Sequence, residues 1–156
     1  MSTDLALADD LSLPTLEEEK QFVTAYVGGQ LVGLPILSVQ DVLNPMQYTF
    51  VPLAAPEIIG LINLRGRIVT AIDVKAKLGH EKLDKLETRR SVVVEHKDEL
   101  YALYVDSVGD VMNIPNSKFE QNPANLEDSW KAVTSGVYRL DEKILVVLDI
   151  NKLLDY

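Results

Sequence analysis

Two guanidiniums, Arg65 and Arg67, flank Gly66 between the apolar runs Leu61-Ile62-Asn63-Leu64 and Ile68-Val69-Thr70-Ala71-Ile72. Runs of strand length bounded by glycine read as a β-hairpin, with Gly66 free to take positive φ at the turn. Charge at the tip of an otherwise apolar hairpin marks a place where something binds. Asp73 and Asp149 could suggest a carboxylate pair for acid–base work. Each, however, opens a short helical stretch as an N-cap, a role worth ~1 kcal/mol. His80 and His96 lie far apart in charged loops and read as solvent-exposed loop residues, not as metal or catalytic groups. Tyr48 and Phe50 could stack single-stranded nucleic acid on a small barrel.

Composition narrows these chemistries. The formal net charge of −9 repels phosphate backbones and anionic lipid, so Tyr48 and Phe50 read instead as core or edge packing. Arg65 and Arg67 stand out against that acidic background. The chain has no cysteine, which removes disulfides, thiolate catalysis and cysteine-ligated metals. It also lacks a Gly-rich phosphate loop, a GxSxG elbow, HExxH and EF-hand spacing. No catalytic residue, metal or cofactor is expected, and an enzyme is not the reading. The N-terminal MSTDLALADDLSL is acidic where a secretory signal would be basic, and no apolar run approaches the ~20 residues that cross a bilayer. The expected location is cytoplasmic, and the expected partners are soluble proteins.

The elements that must hold these residues are short and β-rich. Met1 to Pro14 reads as a flexible acidic tail, with capping-box spacing at Thr15-Leu16-Glu17-Glu18 and a solvated face at Glu17 to Glu19. Strands are expected at Gln21 to Val27, Leu31 to Leu34, Ser38 to Leu43 and Tyr48 to Leu53. Pro35 closes the second, and Pro52 and Pro56 confine the last to an edge or a turn. Pro56 to Ile59 could form one helical turn ahead of the Arg65 hairpin. After it come the Asp73-capped turn stopping at Gly79, a charged loop from His80 to Arg90, and strands at Ser91 to Glu95, Leu100 to Val105 and Val108 to Ile114. Asn125 starts an expected helix with Leu126, Trp130 and Val133 on one face. A last hairpin, Val137 to Leu140 and Ile144 to Leu148, runs into Asp149 and a helical turn.

The chain also repeats itself. A shift of about 76 sets Gly60 on Gly136, Leu64 on Leu140, Ile68 on Ile144 and Asp73 on Asp149. A shift of about 69 sets Leu31 to Leu43 on Leu100 to Met112, including Val39 on Val108 and Asp41 on Asp110. Two copies of one β unit, each ending in an Asp-capped turn, must pack together to bury enough surface and leave a groove between them. The copies differ at the tip: Arg65-Gly66-Arg67 corresponds to Asp141-Glu142-Lys143. The scaffold therefore does not require Arg65.

The block Gly60 to Val69, followed by Ala71-Ile72-Asp73-Val74, resembles the signature of the CheW family of bacterial chemotaxis coupling proteins. The likeness extends from about Gln21 to Leu154 and takes in Val39 to Val42, Tyr104 to Val108 and Val147 to Leu154. It implies a mainly β fold: two packed five-stranded SH3-like β-barrels related by duplication, with a few short helices. The expected division is an acidic tail over 1–20 and a CheW-like domain over 21–156 of two intertwined barrel subdomains, with repeat units of roughly 21–79 and 91–154. It implies a non-catalytic adaptor, here without room for a receiver or kinase domain. Such an adaptor links the cytoplasmic tip of chemoreceptors to the regulatory domain of the histidine kinase CheA, assembles into rings in receptor arrays, and reaches the membrane only through its partners. Carried over by position, the receptor-facing groove would include Val39, Asp41, Gly60, Arg65, Val92 and Val93, with Gly66, Asp73 and Asp149 in turn and cap roles. Kinase contact would run through barrel edges and hydrophobic loop residues. The family often has glutamate at Asp41, proline at Thr70 and arginine at Lys75, so receptor preference and local strand geometry are expected to differ. Alternatives are the same adaptor in a twitching or other non-flagellar pathway, or a small-barrel nucleic-acid-binding module.

Overall fold

The computed structural model describes residues 18–121 and 126–155. In chain order its strands begin with β1 (Glu19–Val27), β2 (Gln30–Pro35) and β3 (Val39–Leu43). A loop over 44–57 leads to β4 (Ile58–Leu64), β5 (Arg67–Asp73) and helix α1 (Val74–Lys77). The second half holds β6 (Ser91–His96), β7 (Glu99–Tyr104), β8 (Ser107–Pro115), β9 (Phe119–Glu120) and α2 (Asp128–Lys131). It closes with β10 (Thr134–Arg139), β11 (Ile144–Leu148) and α3 (Ile150–Leu154). Three hairpins turn on residue pairs that both have positive φ: Gly28-Gly29 (58° and 82°), Arg65-Gly66 (51° and 83°) and Lys97-Asp98 (52° and 66°). Two-residue turns of that kind match the right-handed twist of the strands they join.

The repeats do not fold side by side; they exchange strands. One sheet runs β3-β6-β7-β5-β4 and the other β8-β1-β2-β11-β10-β9. Each sheet thus combines the first hairpin of one repeat with the third strand and last hairpin of the other. Each sheet joins the repeats twice: at a parallel pair, β5 with β7 (Ala71 opposite Ala102) or β11 with β2 (Val147 opposite Gly33), and at an antiparallel pair, β3 with β6 or β8 with β1. The sequence implied five strands per barrel; the second has a sixth, the two-residue β9 against Tyr138 and Val137. Its counterpart in the first barrel is a single bridge between Thr49 and Leu61.

Alternation along the central strands then builds three apolar layers, because both faces of each sheet are covered. Val92, Val94, Leu103, Val32 and Leu34 enter the layer between the barrels, where Trp130 and Val133 also lie. Val93, Ala102, Tyr104, Val69 and Ala71 fill the five-stranded barrel. Phe22, Leu31, Tyr138, Leu145 and Val147 fill the six-stranded one.

Several expectations need correction. Tyr48 to Leu53 is not a strand; only Thr49 pairs, and Pro52 with Leu53 forms a turn. Pro56-Glu57 is likewise a turn, with the Ile58 N–H donating to the Ala55 carbonyl at 2.9 Å, and the strand starts at once. His96 is buried at 6% exposure because β6 carries it under α3, where Nδ1 lies 3.1 Å from Asn151 Oδ1. Glu19 opens a strand, and Thr70 sits in a continuous ladder between Leu61 and Tyr101. The capping turn from Thr15 and the expected helix start at Asn125 lie outside the described residues; the described part of that helix is α2.

Candidate functional site

The site grows from an edge. Among the described residues β3 ends its sheet, so one side of Val39–Leu43 has no ladder partner there, and such an edge is open to another chain. On its inner side Val39 faces Val94, Asp41 faces Val93 and Val42 faces Val92, with a bulge at Gln40 that bends the strand. Asp41 Oδ1 accepts the Val42 N–H at 2.8 Å, which fixes the carboxylate against its own strand. Its other oxygen, Oδ2, lies 3.3 Å from a terminal guanidinium nitrogen of Arg65. The two residues belong to the opposite edge regions of the five-stranded sheet, brought together as the sheet curls into a barrel. Arg65 and Asp41 side chains are 78% and 33% exposed, so this pair contributes only ~0–1 kcal/mol to stability. The pair sets one charge of each sign at the barrel rim.

The hairpin that carries Arg65 is well determined. Gly66 donates its N–H to Asn63 Oδ1 at 3.0 Å, and a Cβ at Gly66 would meet nothing within 4 Å. Gly60 acts differently. A Cβ there would stand 2.2 Å from the Thr49 carbonyl oxygen, which accepts the Leu61 N–H at 2.9 Å. Glycine thus lets the 44–57 loop seat on β4; Gly60 itself is buried and offers no side chain. That loop leaves Phe50 69% and Leu53 104% exposed, Leu53 at a φ of 63° that leucine rarely adopts.

The six positions carried over from the resemblance therefore divide. Val39 and Asp41 are half-buried on the edge strand and Arg65 is exposed above it. Val92 and Val93 are 0% and 1% exposed, pointing into the inter-barrel layer and the barrel interior respectively. They back β3 and do not line its surface. Sequence reading passed over Ile36 and Val42, which join Val39 and Val108 at the partly open margin of the inter-barrel layer. The repeat held the signal for part of this, since Val39 and Val108 are aligned copies.

Asp73 and Asp149 are helix caps. Asp73 Oδ1 accepts the Ala76 N–H at 3.1 Å, and Asp149 Oδ1 accepts the Lys152 N–H at 3.2 Å. Among the described residues no three His, Asp or Glu side chains gather to hold a metal ion, and no helix is long and apolar enough to cross a membrane.

Comparison with known proteins agrees with this architecture. Chemotaxis protein CheW of Helicobacter pylori is 25% identical over 138 residues, covering 88% of this chain and 83% of that protein. Chemotaxis protein CheW of Klebsiella aerogenes is 28% identical over 150 residues, covering 96% and 89%. Protein PilI of Pseudomonas aeruginosa is 31% identical over 120 residues, covering 77% and 67%. The crystal structure of the scaffolding protein TtCheW from Thermoanaerobacter tengcongensis superposes with a TM-score of 0.79 at 29% identity, covering 89% of this chain and 94% of that one. The model of the CheW-like domain matches residues 21–156, and this chain belongs to that family.

Proposed function

We propose that the chain is a non-catalytic adaptor in chemotaxis signalling, coupling the cytoplasmic tip of a chemoreceptor to the regulatory domain of the histidine kinase CheA. The observation that carries the receptor half is the Asp41–Arg65 pair beside Val39, set on an unpaired strand edge at the margin of the inter-barrel layer. A receptor tip is a helical hairpin, and an amphipathic helix docks by laying apolar side chains in a groove while rim charges fix its register. Val39, Val42 and Ile36 supply the apolar part; Asp41 and Arg65 supply the rim.

The kinase-facing half belongs to the 44–57 loop. Exposed Phe50 and Leu53 give it an apolar surface that a solvated loop does not need. With two separate faces the adaptor can bridge receptor and kinase, alternate with kinase domains in a ring, and sit at a membrane array without inserting into it.

Titration of the isotope-labelled chain with a receptor cytoplasmic fragment tests the receptor face. Amide shifts should concentrate on Ile36 to Leu43 and the Arg65 turn. Shifts confined to the 44–57 loop would reverse the assignment. A second reading, the same adaptor in a non-flagellar pathway, is favoured by the likeness to PilI and predicts binding to that pathway's receptor instead.

A further inference from the structure

Helix α3 is a strap between the barrels. It leaves β11 of the six-stranded sheet and crosses to the β6–β7 hairpin of the five-stranded one. Ile150, Leu153 and Leu154 are buried in the layer between the sheets. Two side chains fasten the helix: Asn151 Oδ1 lies 3.1 Å from His96 Nδ1, and Asp155 Oδ1 lies 2.7 Å from Lys97 Nζ. An amide oxygen only accepts, so Nδ1 carries the imidazole hydrogen. Nε2 is then a bare lone pair, buried and without a hydrogen-bond partner among the described residues.

The repeat shows that the fold does not need an imidazole here. A shift of 69 sets His96 on Val27, and each ends its strand directly before a two-residue turn, Lys97-Asp98 or Gly28-Gly29. Val27 is 1% exposed and lies in the same inter-barrel layer. The charged groups around the His96 ring are engaged elsewhere or lie in solvent. On β7, Glu99 stands opposite His96 in the ladder and interacts with the hydroxyl of Tyr101, whose ring lies 6.4 Å away. On α3, Asp149 caps the helix and Lys152 is turned to the Thr134 carbonyl at 3.2 Å. Asp155 is held by Lys97, whose hydrogen bond keeps that carboxyl below its usual range. Glu95, Lys97, Asp98, Glu99 and Asp155 are exposed, so water and salt screen their fields at the buried ring.

We propose that His96 is a pH-sensitive clasp: its neutral ring holds α3 against β6, and protonation at Nε2 loosens the helix. A proton there creates a charged N–H with no acceptor, inside a layer of hydrocarbon that cannot solvate it. Water satisfies that charge only when α3 lifts from the ring. The clasp is therefore closed at alkaline pH and opens as pH falls through the range where imidazole ordinarily takes up a proton, about pH 8 to about pH 5. The lift reaches further. α3 faces β3 across a hollow of about 410 Å³ lined by Ser38, Gln40, Ile150 and Asn151, so the clasp bears on the edge assigned above to the receptor. The response of α3 itself does not depend on that assignment.

Hydrogen exchange of the isotope-labelled full-length chain at about pH 8 and about pH 5.5 tests the clasp, read as protection factors so that intrinsic pH dependence cancels. The Leu153 amide, bonded to the Asp149 carbonyl, should lose protection several-fold at the lower pH. The Ala76 amide, held by the aligned cap Asp73, should not. His96→Val installs the residue of the other repeat and should keep α3 protected at both pH values. The chain has one other histidine, and His80→Gln should retain the wild-type response. The side-chain nitrogen spectrum of the wild type at the higher pH should place the His96 hydrogen on Nδ1. Equal α3 protection at both pH values in the wild type would overturn the proposal. So would a response that survives in folded His96→Val, or a hydrogen found on Nε2.

Discussion

At the scale of single residues, the receptor role proposed for Arg65 can be tested apart from its effect on stability. The Arg65 φ of 51° puts a non-glycine side chain in the left-handed region, at a cost of about 1 kcal/mol, and its exposed pair with Asp41 returns little of that. Asparagine tolerates this conformation, and Asn-Gly is a preferred two-residue hairpin turn. Arg65→Asn should therefore raise the unfolding free energy by about 0.5–1 kcal/mol in urea titration while weakening receptor binding. A destabilised variant would mean that the arginine serves the fold. The glycine half of this turn was legible in the sequence because apolar runs of strand length bracket it. The contact with Asp41 was not, since the partners are 24 positions apart and meet only when the sheet curls.

At the scale of elements, the aligned glycines offer a comparison. A Cβ at Gly60 meets a backbone carbonyl at 2.2 Å, whereas at Gly136 its nearest neighbour is the tip of the Phe119 ring at 2.4 Å. A half-buried ring can swing aside more readily than a hydrogen-bonded carbonyl. Gly60→Ala should cost about 3 kcal/mol or more, and Gly136→Ala clearly less, by thermal or urea unfolding. The loop that Gly60 seats was misread as a strand because Tyr48 to Val51 has the right residue types. What decides it is Pro52 and the single pairing of Thr49, neither of which yields a ladder. Phe50→Ser with Leu53→Ser removes exposed apolar groups and should move stability by no more than about 0.5 kcal/mol. In pull-down, that double variant should lose the kinase regulatory domain and keep the receptor fragment.

At the scale of the molecule, strand exchange makes the repeats inseparable. Each sheet borrows a hairpin from the other copy, and the largest apolar layer lies between the sheets. Leu103 is fully buried in that layer, so Leu103→Ala should cost about 2–5 kcal/mol. Far-UV and near-UV signals should still unfold together; separate transitions would mean that the barrels are independent. The duplication was legible because glycines, cap aspartates and apolar positions recur at fixed shifts. The exchange followed only from the family likeness, because strand pairing between copies leaves no local mark. Nor could alternation reveal which way Val92 and Val93 point when both faces of β6 are covered.

The central claim is that one chain holds receptor and kinase on separate faces, with Arg65 on the receptor side. Co-sedimentation with a receptor cytoplasmic fragment and the CheA regulatory domain, each alone and both together, measures it most directly. The wild-type chain should bring down either partner alone and both as one complex, and folded Arg65→Asn should lose the receptor while keeping the kinase domain. Undiminished receptor binding by Arg65→Asn, or displacement of one partner by the other, would contradict the account.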